Sequence, residues 1–272
     1  MHIQHQSAEL IIFESALYRT TSSLIVGCEF LLLVDPNWLP IEVAFIQRQV
    51  AALRDGKPLY LLFTHADYDH IIGWRAFPDA QVIVSEAFEN NPEKEKQLQL
   101  IQAFDAENYI SRSYPIEYPK GDIVIDSEGQ EVVLGEAKLR FYCAGRHTPE
   151  GLFCLIEPYG IWVAGDYLSN VEFPFVYHST AAYFESMQKA RYILDHFELQ
   201  MMIPGHGDAT ADRLEVLHRI QASEDYLTEL IESVRQRGRF DLEKWLEQYP
   251  YPDGLRKAQQ ENIALIQKEL GI

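Results

Sequence analysis

The chain is short of cysteine, of long apolar runs and of positive charge. Its three cysteines among 272 residues, Cys28, Cys143 and Cys154, are too few and too scattered for a disulfide framework, and none has the paired spacing of a structural zinc site. Each sits in an apolar, strand-like setting, so all three are expected in the core. No stretch reaches the roughly 18 consecutive apolar residues of a membrane span. The start Met1-His2-Ile3-Gln4-His5-Gln6 has neither the basic residues nor the apolar centre of an export signal, and His2 and His5 read as a frayed terminus. A soluble, cytoplasmic protein without membrane association is expected. Lysine and arginine number 23 against 41 aspartates and glutamates, a formal net charge of −18. Such a surface repels a phosphate backbone and argues against nucleic acid as a partner, leaving a small molecule as the expected one. No internal repeat or low-complexity tract is present.

What the sequence does have is a hydrophobic content of 47%, ample for a core in one large domain or a domain with an appendage. Runs rich in β-branched and aromatic residues predict strands at Leu10–Phe13, Ser23–Val26, Phe30–Val34, Leu59–Phe63, Gln81–Val84, Glu131–Val133, Lys138–Cys143, Leu152–Ile156 and Ile161–Ala164. Helical periodicity falls between some of them, at Ile41–Leu53 and around Leu98–Phe104. Hairpin-like and helix-connected strands are mixed, which argues for an α/β or α+β sandwich rather than an all-parallel sheet. Residues 86–120 are polar, carry Asn91-Pro92 and Tyr114-Pro115 as breakers, and read as a helical insertion bordered by loops. From residue 209 to residue 272 the pattern is almost wholly helical. Leu227, Leu230, Ile231 and Val234 share one apolar face there, and Leu242, Trp245, Leu246 and Tyr249 another. A helical extension on a domain of residues 1–208 is expected.

The densest chemistry lies in Thr64-His65-Ala66-Asp67-Tyr68-Asp69-His70, directly after the run Leu59–Phe63. Four side chains here, His65, Asp67, Asp69 and His70, bind divalent cations. In an extended segment residues i, i+2 and i+4 point the same way, so His65, Asp67 and Asp69 would converge. His70 joins them if the chain turns, and Ile71-Ile72-Gly73-Trp74 has the look of a helix start that would supply the turn. Ordinary polar loops also contain His and Asp as caps and turn formers.

Three further loops carry ligand-type residues at strand-like ends. Gly145-Arg146-His147-Thr148-Pro149-Glu150-Gly151 follows Lys138–Cys143, Gly165-Asp166 follows Ile161–Ala164, and Pro204-Gly205-His206-Gly207 follows Met201-Met202-Ile203. Their glycines permit the close backbone approach that a loop around an ion requires. With this many ligands, two metals are expected rather than one.

The ordered set His65, Asp67, Asp69, His70, His147, Asp166, His206 resembles the metallo-β-lactamase fold superfamily, whose members carry His-x-His-x-Asp-His after a strand, then a third His, a bridging Asp and a final His. The resemblance runs from about Phe13 to His206 and includes Val34-Asp35-Pro36 at an early strand end. It implies a four-layer αββα sandwich, here with the helical C-terminal extension, and a dinuclear metal-dependent hydrolase. It also implies that His65 and His147 bind a first metal, that Asp69, His70 and His206 bind a second, and that Asp166 bridges them. Asp69 would further orient the attacking water.

Asp67 departs from the pattern, for it stands where the family has its second histidine. A carboxylate hardens the first site, so that besides two zinc ions, manganese or iron come into consideration. Related flavodiiron proteins carry a glutamate at this position, which keeps a diiron oxidoreductase as an alternative to a hydrolase. This chain, however, has no room for a fused flavodoxin domain. A non-catalytic metal-binding or sensing domain is the third alternative. The hydrolysed bond would belong to an ester, thioester, lactone, amide or phosphoester.

After Asp166 comes a loop dense in aromatic rings. Tyr167, Phe173, Phe175 and Tyr177 are candidates to line an apolar substrate pocket, with packing of the helical extension as the competing role. His178 is the candidate general acid for a leaving group. Arg146 and Lys189 read as solvated surface cations, Trp74 as core, and His196 and His218 as helical residues outside the site.

Overall fold

The computed structural model describes residues 1–145 and 150–272. Two sheets lie face to face. The first has seven strands in sequential order: β1 (His2–Gln6), β2 (Leu10–Glu14), β3 (Thr21–Val26), β4 (Leu31–Val34), β5 (Leu59–Leu62), β6 (Gln81–Ser85) and β7 (Ile123–Ile125). It is antiparallel from β1 to β4 and parallel from β4 to β7. The second has five, β8 (Glu131–Leu134), β9 (Ala137–Cys143), β10 (Leu152–Glu157), β11 (Ile161–Gly165) and β12 (Met201–Pro204), in the order β12-β11-β10-β9-β8. Only the pair β11–β12 in it is parallel. Among the described residues no helix is long and apolar enough to cross a membrane.

The alternation of side chains across each strand divides the core into three apolar layers. In β10, Leu152, Cys154 and Ile156 face the first sheet, while Phe153 and Leu155 face outward onto helices. In β4, Leu32 and Val34 face the second sheet, and Leu31 and Leu33 face out. The outer layer on the first sheet is completed by α1 (Pro40–Arg54) and α4 (Lys94–Glu107), which bury Val43, Ile46, Val50 and Ile101. On the second sheet it is completed by α5 (Thr180–His196), α6 (Arg213–Arg235), α7 (Leu242–Leu246) and α8 (Pro252–Leu270). The layering is therefore helix, sheet, sheet, helix, the αββα sandwich expected from the sequence.

The helices after residue 209 pack on the second sheet as part of that outer layer. Leu227, Leu230, Trp245, Leu246, Leu255 and Ile266 share one apolar cluster with Phe153 and Trp162 of the second sheet. Polar docking adds to this at Asn262 of α8. Its amide donates to Pro174 O at 2.7 Å and to the Tyr226 hydroxyl at 2.9 Å, while its carbonyl oxygen accepts from Val176 N at 2.9 Å. The segment 86–120 holds a short helix, α3 (Glu86–Glu89), and α4, with irregular chain on either side. Phe104 of α4 packs on Trp38 with ring centroids 4.5 Å apart.

Three expectations are corrected. His2 and His5 do not belong to a frayed end: they sit in β1, an edge strand paired to β2 with His2 opposite Glu14 and His5 opposite Ile12. Backbone pairing holds this strand, so its polar side chains carried no strand signal. The second edge strand, β7, is only three residues long and was missed for want of length. Cys28 is exposed in the turn between β3 and β4, where its backbone N–H meets Glu136 Oε1. Cys143 is partly buried and Cys154 fully buried, and burial raises the Cys154 thiol well above its ordinary pKa.

Asn262→Ala strips partners from the buried Val176 N–H and Pro174 carbonyl, and should cost about 3 kcal/mol of stability. Urea unfolding with unchanged m-value checks this. A loss below about 0.5 kcal/mol would show that Asn262 does not anchor α8.

Candidate metal centre

The parallel pairings β4–β5 and β11–β12 bring four strand ends to one edge of the sandwich. Asp35 follows β4, Thr64 and His65 follow β5, Asp166 follows β11, and His206 follows β12. The sheets are joined here by Leu152 N donating to Thr64 O at 2.8 Å. After His65 the chain does not stay extended. Asp67, with extended φ and ψ of −61° and 141°, directly precedes the single-turn helix α2 (Tyr68–Ile71), and this turn carries Asp69 and His70 toward the same centre.

Ligand atoms cluster in two groups that share Asp166. In the first, His65 Nε2 lies 3.7 Å from Asp67 Oδ2 and 3.3 Å from Asp166 Oδ2. In the second, His206 Nε2 is 3.5 Å from Asp69 Oδ2, and His70 Nε2 is 3.7 Å from the same oxygen and 3.4 Å from His206 Nε2. Asp166 reaches this group too, with Oδ1 at 3.0 Å from His70 Nε2 and Oδ2 at 3.4 Å from His206 Nε2. Donors about 2.0–2.1 Å from a tetrahedral zinc stand roughly 3.3 Å from one another, so the spacing fits a pair of first-row cations. Asp67 stands within the first group, next to His65, and not out in solvent.

The histidine tautomers fit as well. Asp35 Oδ2 accepts from His70 Nδ1 at 3.0 Å and from the Thr64 hydroxyl at 2.6 Å, and Asp35 Oδ1 accepts from Thr64 N at 2.9 Å. Because the Thr64 proton goes to Asp35, the Thr64 oxygen accepts from His65 Nδ1 at 2.9 Å. His206 Nδ1 donates to Tyr18 O at 2.9 Å. All three rings thus hold their proton at Nδ1 and turn Nε2 to the centre, the arrangement a metal-binding imidazole requires. A third grouping of ligand-type atoms, Asp35 with His65 and His70, is this supporting network and not a further metal site, since its nitrogens are committed to hydrogen bonds.

Charges balance one another tightly. Burial opposes protonation of His70 and His206, yet Asp166 and Asp69 raise His70 well above its ordinary range. Glu172 together with Asp166 and Asp69 lifts His206 to about 10. Burial likewise opposes the Asp166 carboxylate, but His70, His65 and His206 hold it well below the usual carboxylate range. A cation entering this site displaces protons from the imidazoles and keeps the charge balance.

Gly205 is dictated by this geometry. A Cβ there would overlap the Asp166 carboxylate, and Gly205 N donates to Gly165 O at 2.6 Å. The next turn is tied to the first sheet through Thr21 N to Gly205 O at 2.7 Å and Gly207 N to Arg19 O at 3.0 Å.

His147 and Arg146 lie outside the described residues. Of the aromatic candidates, Tyr167 is buried with its hydroxyl donating to Ala144 O at 2.7 Å, and Phe173 is buried and stacked on Tyr226 with centroids 4.4 Å apart. Phe175 is partly buried beside a cavity. Tyr177 is 49% exposed. Partial desolvation, then the charges of Asp67, Glu261 and Asp166, raise its phenol pKa. His178, next to it, is exposed. Lys189 is bound to Glu128 and to Cys143 O. Sequence reasoning missed Thr64, whose hydroxyl links its neighbour His65 to Asp35 on the adjacent strand, and Thr20, Tyr18 and Glu172, whose influence on His206 comes from proximity in the fold and not from spacing along the chain. Thr20 lies 3.4 Å from His206 Nδ1.

The sequence model described as the Metallo-beta-lactamase superfamily matches residues 17–214. No curated protein matches the chain. Among solved structures, the chain is similar to a metallo-beta-lactamase family protein from Thermus thermophilus, with a TM-score of 0.66 and 18% identity over 96% of this chain and 94% of that one. It is similar to the stereoselective inverting sec-alkylsulfatase Pisa1 from Pseudomonas sp., with a TM-score of 0.70 and 12% identity over 97% of this chain. This chain spans about half of the alkylsulfatase, 50% of its length. An archaeal metallo-beta-lactamase superfamily protein from Sulfolobus tokodaii aligns with a TM-score of 0.57 and 15% identity over 98% of this chain and 99% of that one. At these identities the likeness is one of fold.

Asp35→Asn removes a negative charge behind both His65 and His70 while keeping the residue's shape. Metal affinity should fall roughly 10- to 100-fold, measured by competition with a chromophoric chelator. An unchanged affinity would mean that Asp35 supports only the fold.

Proposed function

The chain belongs to the metallo-beta-lactamase superfamily, and from that premise we propose that it is a dinuclear metal-dependent hydrolase acting on a small ester, thioester, lactone or phosphoester. The observation that carries this reading is Asp166, whose two oxygens lie 3.0–3.4 Å from the Nε2 atoms of His70, His65 and His206, as a carboxylate bridging two cations would. The first cation would be held by His65, Asp67 and Asp166, with His147 as the ligand the family resemblance adds. The second would be held by Asp69, His70, His206 and Asp166. When bound, the pair supplies Lewis acidity and acidifies water near neutral pH.

The chain's own groups then orient and move protons. Asp69 Oδ2, also 3.5 Å from the Thr20 hydroxyl, is fixed to orient the attacking water. Asp35 and Tyr18 O hold the imidazoles so that their Nε2 atoms stay aimed while charge develops at the centre. Tyr177, whose phenol is protonated near neutral pH, would donate a hydrogen bond to the substrate. His178 beside it gives a proton to the leaving group. A substrate smaller than a nucleic acid suits a chain of formal charge −18.

Asp67 bears on the metal. With His147 counted, each group would offer two imidazoles and two carboxylates, so Asp67, standing where the family has a histidine, makes the first group harder than the family's and opens it to manganese or iron beside zinc. That carboxylate is the observation favouring a diiron oxidoreductase as a second reading.

Protein stripped by chelation and reloaded separately with zinc, manganese or iron should hydrolyse at least one class in a panel of thioesters, lactones, carboxylic esters and phosphodiesters. Asp166→Ala should return the rate to background. Asp67→His should shift activity toward the zinc-loaded form. An inert panel with every metal, together with reducible iron in freshly purified protein, would replace the hydrolase by the oxidoreductase.

A further inference from the structure

We propose that Gln4, in the edge strand β1, is a positioning residue for the second cation: it holds the turn that follows His206 and so keeps that imidazole aimed at the centre. This role rests on the reading that Asp69, His70 and His206 share a cation, and it brings the first strand of the chain into the support of that site.

The strand is shaped to make that reach. Pairing of β1 with β2 sets Ile3 opposite Phe13 and His5 opposite Ile12, so two steps along β1 answer one step along β2, and Gln4 is the extra residue of a β-bulge. A bulge takes its residue out of the ladder and re-aims its side chain. Here the carboxamide is aimed at the turn after His206, where Nε2 donates to Gly207 O at 2.8 Å and Oε1 accepts from Ala209 N at 2.9 Å. The second N–H of the amide goes to Glu14 Oε2. Two acceptors and one donor around one carboxamide leave it a single orientation.

The turn needs a hold from outside. On the N-terminal side of His206, Gly205 is fixed to both sheets through Thr21 N and Gly165 O. On the C-terminal side stands Gly207, with a φ of 89° and no room for a side chain, since a Cβ there would overlap Asn170 Oδ1. A glycine restricts its own backbone least of all residues, so the peptide after His206 keeps its orientation through its partners. Arg19 O accepts from Gly207 N at 3.0 Å, Asn170 and Arg219 hold the backbone of Asp208, and Gln4 brackets them by bonding residues 207 and 209. Without Gln4 the buried Gly207 carbonyl has lost its donor and turns toward water. Rotation of that peptide moves the His206 ring off Tyr18 O, which accepts its Nδ1 proton at 2.9 Å.

The test compares Gln4→Leu, which keeps the side chain's size and loses its bonds, with His5→Ala as a control on the same strand. In the metal-free full chain, proton NMR follows exchange of the His206 Nδ1 proton with solvent. Gln4→Leu should speed this exchange roughly 10-fold through local opening, while backbone amides of β10 and β11 keep their native rates. His5→Ala should leave the exchange unchanged. In competition with a chromophoric chelator, Gln4→Leu should bind one of two zinc ions roughly 10-fold more weakly. Native exchange at Nδ1 in Gln4→Leu, or acceleration shared equally by the β10 and β11 amides, would overturn the proposal. So would an unaltered zinc affinity in a chain that binds two ions. Fewer than two zinc ions in the unaltered chain, with the Nδ1 exchange still accelerated by Gln4→Leu, would support the role of Gln4 and count against the two-cation reading alone.

Discussion

The carboxylate of Asp35 occupies a position on which the centre depends. It accepts from the backbone and hydroxyl of Thr64 and from Nδ1 of His70, and through Thr64 it fixes His65 as well. These bonds span the adjacent parallel strands β4 and β5, whose ends would otherwise be free to splay. Three donors replace the water that a buried carboxylate gives up, and the carboxylate in turn orients His70 directly and His65 through Thr64. Asp35 itself has a φ of 44°, a left-handed conformation that aspartate tolerates better than most residues. The turn after β4 is thereby shaped to aim the carboxylate at its partners.

The second sheet supplies the other half of the centre by a similar device. Asp166 and His206 follow parallel neighbours β11 and β12, and Gly205 lets the backbone pass directly against the Asp166 carboxylate. Thus each sheet contributes one parallel pair, and the centre lies where the two pairs meet. The apolar layers behind these strands are fully buried, and such packing resists the small displacements that would separate ligands from one another. The helices after residue 209 belong to this packing.

Much of this was legible in the sequence, and the reasons differ by residue. The strands facing both apolar layers, such as Leu152–Glu157 and Ile161–Gly165, announce themselves because β-branched and aromatic runs have few other destinations. His65, Asp67, Asp69 and His70 were legible because ligand-type side chains crowd into one strand end. Their convergence was expected from an extended chain and is achieved instead by a helical turn beginning after Asp67. The strand His2–Gln6 was illegible because edge pairing uses the backbone and leaves no hydrophobic period. Cys28 misled for a related reason, since an apolar neighbourhood in sequence became an exposed turn. Asp35, Tyr18 and Glu172 act on histidines far away in the chain, and Thr64 couples its neighbour His65 to Asp35 on the adjacent strand. Tyr167 and Phe173 lie in the same aromatic stretch as Tyr177, yet their rings went into the core while Tyr177 stayed half exposed, a division no local pattern encodes.

The central claim is that one chain holds two cations sharing Asp166, and counting them tests it most directly. Calorimetric titration of the metal-free chain with zinc, confirmed by elemental analysis after desalting, should give two equivalents per chain. It should fall to one in Asp67→Ala, in which the group of Asp69, His70 and His206 remains. One equivalent or none in the unaltered chain would contradict the account.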